Sequence, residues 1–191
     1  MIRPDDVLQF WFGTVDGKDL TVPQEKWFAK NPDFDQACRD GFGAAWEVAR
    51  TGGYDDWQGL PRAALALVVL LDQIPRNIFR GDPRSYASDS KALEVARAAL
   101  ANGFDENLTP LENIFLFLPF EHSEKLDDQN QSVALADGLP PGEAFDRVRR
   151  IARRHREIVE RFGRFPHRNV VLGRVSTAEE IAFLQEPESS F

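Results

Sequence analysis

The sequence predicts an all-α protein of eight or nine helices, on three observations. Ala63 to Leu71 are apolar without a break, nine residues in a row, and a helix with no face left for water belongs at the centre of a domain. Thr109-Pro110-Leu111-Glu112 and Ser176-Thr177-Ala178-Glu179 read as capping boxes that open helices. No segment alternates polar and apolar residues long enough to make a strand.

Taken in order, residues 4 to 13 predict a short helix carrying Val7, Leu8, Phe10, Trp11 and Phe12, and Gly13 and Gly17 open a loop after it. Pro23 to Lys30 predicts another, with Trp27 and Phe28 as its buried pair. Asp33 can cap a longer helix through Arg50, along which Phe34, Ala37, Cys38, Phe42, Ala45 and Trp46 follow helical spacing. The central helix follows Trp57 with Pro61 in its first turn, and Pro75 should break it near Ile74. Asp82-Pro83 marks a turn. Asp89 or Ser88 caps a helix to Asn102, and Thr109 starts an apolar helix that Pro119 should terminate. Ser123 can cap the next helix, closed by Gly138 and Pro140-Pro141. Glu143 to Phe162 is the longest helix, stopped by Gly163, and a last helix runs to about Gln185.

A chain of 191 residues suits one domain spanning 1–191. Its single cysteine, Cys38, excludes an internal disulfide and any multi-cysteine metal site. The acidic start MIRPDDVLQFWFG does not resemble a secretory signal, and nine apolar residues are about half of a membrane span, so a cytoplasmic protein without membrane partners is expected. Net charge is −8, yet Arg147 to Arg168 holds nine arginines against Glu157 and Glu160, a local balance of +7. Such a run is either a solvated helix face paired with acidic neighbours or an anion site. Nucleic-acid binding is not expected of a chain this acidic. The sequence carries no GxGxxG, P-loop or kinase signature, so no nucleotide cofactor is expected.

Polar residues gather where the apolar run ends: Asp72, Gln73, Arg76, Asn77 and Arg80. His122 lies at a helix junction, and Val148, Ile151, His155, Ile158 and Phe162 turn His155 inward on the long helix. His167 lies between Arg164 and Arg168 in a loop. An inward histidine is commonly a hydrogen-bonded core residue, so each has a structural reading beside a functional one. A metal set of His122, Glu124, Asp128, His155 and His167 lacks HExxH or paired ExxH spacing. Ser123 beside His122 lacks the elbow of a serine nucleophile. Better supported is a pocket for a small anionic ligand or peptide. Asp72, Arg76, Asn77, Arg80, Arg164, His167, Arg168 and Asn169 would bind it, with His122, Glu124 and His155 as catalytic candidates for proton transfer. The alternative is a network in which Asp72, Glu124 and Glu160 neutralise inner arginines and fix helix packing.

The blocks LLDQIPRNIFRGDPRSYASDSKAL, FLFLPFEHSEKLDDQNQSVAL and HREIVERFGRFPHRNVVLGRVSTAEEIAFL resemble a bacterial family of unknown function, the one numbered 924. The likeness runs from about Val7 to Phe191. It implies a tetratricopeptide-like array of antiparallel helix pairs wrapped around the central apolar helix. It also implies that Asp72 to Arg80, His122 to Gln129 and His155 to Asn169 meet in space. It supplies no activity. Hydrolysis or proton transfer on a small anion is therefore expected, with a peptide-binding scaffold as the alternative.

Overall fold

The computed structural model describes residues 2–15, 18, 19, 27 and 29–190. They form an all-helical protein, as expected. Helices α1 (Pro4–Trp11) and α2 (Pro32–Arg50) precede the central segment of α3 (Pro61–Val68), a π-turn (Val69–Gln73) and α4 (Ile74–Ile78). After it come α5 (Asp89–Ala101), α6 (Pro110–Glu121), α7 (Leu126–Asp137), α8 (Glu143–Phe162) and α9 (Ala178–Phe183), with 3-10 turns between. The only extended pairing among the described residues is a two-residue hairpin ladder, Thr14–Val15 against Lys18–Asp19. The helix expected from Pro23 to Lys30 lies largely outside the described residues, as do Gly17 and Phe28. Trp27 is described and buried, and its indole donates to the Trp11 carbonyl at 2.9 Å.

The apolar run sits where its composition requires. Every residue from Leu65 to Asp72 is fully buried, with α1, α2, α5 and α6 packed around the segment. Trp11, Phe12, Trp27 and Phe115 close one end with edge-on ring contacts. A second, smaller apolar group, Ile158, Val159, Phe165 and Phe183, ties α8 to α9.

Two prolines behave differently from expectation. Pro75 does not break the central helix near Ile74; the chain passes through a π-turn and stays helical to Ile78. Pro75 has no N–H for the Leu71 carbonyl. The Ser88 hydroxyl supplies the missing donor at 2.5 Å, while Ile74 N–H reaches back five residues to Val69. Arg76 Nη1 donates to the Asp72 carbonyl at 2.7 Å and Asn77 Nδ2 to that of Gln73 at 3.2 Å. Side chains thus satisfy the carbonyls that the widened turn releases.

Pro119 likewise does not terminate α6, because its fixed φ is itself helical. The helix runs on to Glu121, and His122 becomes the C-cap residue, its N–H bonded to Leu118 O at 2.9 Å. Capping shifts by small steps elsewhere. Asn31, not Asp33, caps α2. The last box pairs Thr177 with Glu180, one residue later than the sequence pattern suggests, because Glu180 is the buried glutamate that takes Arg164. Ser123 stands outside α7, which starts at Leu126 behind Lys125.

The arginine-rich helix α8 is chiefly a paired surface. Arg149, Arg150, Arg153, Arg154, Arg156 and Arg161 meet Asp146, Glu188, Asp137, Glu157, Glu160 and Glu179 respectively. Exposed pairs of this kind contribute little stability.

Candidate functional site

The widened turn has a local consequence: it carries Asp72, fully buried, to the C-terminal end of α6. A π-turn inside an α-helix is often found at a functional site. Asp72 Oδ1 accepts from His122 Nδ1 at 2.8 Å and lies 3.2 Å from Arg76 Nη1, while Oδ2 accepts from Gln73 Nε2 at 2.5 Å. Burial opposes ionisation of Asp72, but the charge of Arg76 and the contact with His122 outweigh it. Its carboxyl is held well below the ordinary range.

His122 is pushed the other way: burial, then the Arg76 charge, lower its pKa in spite of Asp72. It is therefore neutral at pH 7. Because ionised Asp72 can only accept, the proton of the neutral ring sits on Nδ1 and the lone pair on Nε2. Nε2 makes no hydrogen bond among the described residues, and the side chain keeps 13% of its surface exposed.

The three carbonyls around His122 are all held by side chains from other elements. Gln129, fully buried on α7, donates to Glu121 O and to Ser123 O, each at 2.6 Å. Arg168 Nη1 donates to His122 O at 3.0 Å. The Ser123 hydroxyl donates to Asp128 at 2.7 Å, and Asp128 is held in turn by Arg97. The helix junction is thereby held by side chains from α7 and from the turn after α8.

Two guanidinium groups flank the dyad. Arg76 makes a two-pronged pair with Asp89, both contacts 2.9 Å, in addition to its bonds with Asp72. Arg168 is buried at 6% exposure, with its guanidinium 4.4 Å from the Phe165 ring centre and 4.8 Å from that of Tyr86. Its nearest carboxylate oxygen, on Asp89, is 3.9 Å away, and its Nε is buried without an acceptor among the described residues. Burial, then the neighbouring Arg76 charge, push its pKa down to about 10.

The other residues singled out from sequence are nearby or elsewhere. Glu124 takes a two-pronged pair from Arg174, at 2.6 and 2.9 Å, and the Phe165 N–H at 2.8 Å. Asn169 braces the same arginine at 2.9 Å and donates to Ser176. Arg164 pairs with Glu180, and Arg80 pairs with Asp35 and Asn77, both away from His122. His155 donates from Nδ1 to the Ile151 carbonyl at 3.0 Å, and burial pushes its pKa down to about 3. His167 is half-buried beside Phe165 and is lowered to about 4, by burial first and Arg168 second. Among the described residues no three histidine, cysteine, aspartate or glutamate side chains group as metal ligands. A surface concavity of about 360 Å³ between Arg3, Leu8, Phe12 and Glu112 shares no residue with the dyad.

Sequence reasoning missed several residues. The sequence shows Asp89 and Ser88 only as caps; Ser88 does stand at the cap position but makes no side-chain cap bond, and both side chains reach back to the central segment instead. Tyr86 and Arg174 carry no signal, since their partners are distant in the chain. Glu121 does carry one: it is the acid closing the apolar run FLFLPF. It lies buried 3.6 Å from His155, and burial, with Asp72 second, raises its pKa to about 8.

Fold and site together describe an all-helical protein built round a buried histidine–aspartate–arginine centre. The chain belongs to the family of bacterial proteins of unknown function (DUF924), whose model matches residues 7–188. It is similar to a solved protein of unknown function from Agrobacterium tumefaciens, at 36% identity over 95% of this chain and 96% of that one, with a TM-score of 0.85. No curated protein matches it. No helix among the described residues is long and apolar enough to cross a membrane.

Proposed function

We propose that the protein binds a small anionic molecule beside His122 and performs proton-transfer or hydrolytic chemistry on it. His122 Nε2 is the general base, Asp72 the group that orients it, and Arg168, backed by Arg76, the anion-binding group. The observation that carries this reading is the dyad itself. An ionised, buried aspartate at 2.8 Å commits one imidazole nitrogen and leaves the other open. The charge of Arg168, which holds the same residue's carbonyl and whose buried Nε has no acceptor among the described residues, supplies the attraction for an anion.

Within this reading Glu124 and His155 are structural. Glu124 anchors the loop after α8 through Arg174 and Phe165, and His155 fills the core as a neutral ring. Arg80, Asn77, Arg164 and Asn169 hold neighbouring segments.

A peptide-binding scaffold of tetratricopeptide-like pairs is the second reading. It is favoured by Val170 and Val175, which stand 85% and 87% exposed in the segment before α9. The two readings separate in a thermal-shift screen of phosphates, carboxylates and nucleotides. A ligand at about 100 times its Kd adds roughly 2.7 kcal/mol, a shift of about 5–11 °C for a chain of this size. A shift of that order that disappears in His122→Gln and Arg168→Met supports the anion site. Retention of the shift in both variants removes it.

A further inference from the structure

We propose that Glu121 is a positioning residue for His122: a buried carboxylic acid whose proton controls how strongly the neighbouring imidazole holds one. The inference rests on the reading of His122 as a base, and it holds whichever anion binds there.

Glu121 is the last residue of α6, and His122 follows it as the C-cap. Its side chain keeps only 7% of its surface exposed, and no lysine or arginine pairs with it among the described residues. The elements around it bring few charges. From α8 comes His155, whose Nδ1 lies 3.6 Å from the carboxyl but already donates to the Ile151 carbonyl. From the π-turn comes the charge of Asp72. From α7 comes Gln129, uncharged, which holds the Glu121 carbonyl at 2.6 Å. Asp128 of α7 and Arg97 of α5 are spent on each other. Arg168 and His167, on the turn after α8, act on His155.

A carboxylate in this place would be buried without a cation and would face the ionised Asp72. Both effects favour the protonated form. Glu121 therefore carries a proton at pH 7 and gives it up near its raised pKa of about 8. Asp72 and Glu121 make a split pair: Arg76 and His122 hold the first ionised, and the second stays protonated for want of such partners.

That split decides the charge around the base. Asp72 acts on both Glu121 and His122, and His122 acts on His155, so the four groups share one electrostatic neighbourhood. While Glu121 is neutral, the attraction of Asp72 for an imidazolium is opposed by Arg76 and by burial. Once Glu121 ionises, a second negative charge favours the imidazolium and strengthens the base at Nε2. Only a proton has to pass, so no opening beside Glu121 is required.

The test uses the full chain without any ligand. Infrared spectra should show a protonated-carboxyl band at pH 7 that fades as pH rises through about 8 and is missing in Glu121→Gln. The His122 ring shifts, followed by NMR over the same range, should inflect at the same pH although the ring itself stays neutral. Glu121→Gln should abolish that inflection. Asp72→Asn should move the infrared transition to lower pH, because the opposing charge is gone. A carboxyl kept protonated for packing alone would give the band without the His122 inflection, and that result would overturn the proposal. Absence of the band at pH 7 would overturn it too. Both signals are read in the unaltered protein, so they stand even if a variant folds poorly. Either negative result leaves His122 as a base to its own test, the position of its ring proton.

Discussion

His122 Nδ1 stands 2.8 Å from Asp72 Oδ1, and this contact decides which nitrogen of the ring is free. Asp72 is ionised because Arg76 and His122 outweigh the cost of its burial. An ionised carboxylate has no proton to give, so the ring must give one. Everything proposed for His122 follows from that asymmetry.

The clamp on the helix junction should be measurable as stability. Gln129→Leu removes the donor shared by the Glu121 and Ser123 carbonyls. A buried carbonyl left unpaired costs about 1–3 kcal/mol, so a loss of roughly 2–4 kcal/mol in urea unfolding is expected. A loss under about 0.5 kcal/mol, the level of a surface change, would mean that the junction holds itself.

The π-turn offers a second stability test. Ser88→Ala strips the donor from the Leu71 carbonyl and the acceptor from the Trp46 indole at once. Two buried groups are orphaned, for about 2–4 kcal/mol. Pairing Ser88→Ala with Pro75→Ala should give a smaller sum than the single effects, because alanine restores a backbone N–H at position 75. Strict additivity would detach the serine from the proline.

Stability should peak near neutrality and fall on both sides. Glu121 has its pKa raised to about 8, so the folded state holds a proton that the unfolded chain gives up above its ordinary value. Stability from this group is present below that value and declines as pH rises towards about 8. The buried histidines act oppositely: His155 and His167 stay neutral down to about 3 and about 4, so stability falls as pH drops below the ordinary histidine value of 6.5. Glu121→Gln should flatten the alkaline limb of a melting-temperature profile and leave the acid limb in place. An unchanged alkaline limb would show Glu121 ionised in the folded protein.

Caps and apolar stripes make most of the helices legible in the sequence, because those signals are local. Glu143–Phe162 is readable to the residue, with an acid start and a glycine in the left-handed region at Gly163. The prolines mislead, since the donors that rescue a proline lie far away in sequence: Ser88 is 17 residues from Leu71. Of the site, His122, Asp72, Arg76 and Arg168 are legible as chemistry at helix ends. The pairing of His122 with Asp72 across 50 residues is not. Arg164 and Arg80 look equally good as anion ligands in the sequence, and only the distant Glu180 and Asp35 explain why they point elsewhere.

The most direct test of the central claim is the tautomer of His122, read from its ring nitrogen shifts between about pH 4 and pH 9 in the unaltered protein and in Asp72→Asn. The account predicts a neutral ring at pH 7, protonated on Nδ1 with a bare Nε2, and a pKa below the ordinary 6.5. Asp72→Asn should mix the tautomers and lower that pKa further, since the carboxylate that favours the cation is gone. A neutral His122 carrying its proton on Nε2 in the unaltered protein would contradict the account, for the base would then face Asp72 and not the ligand.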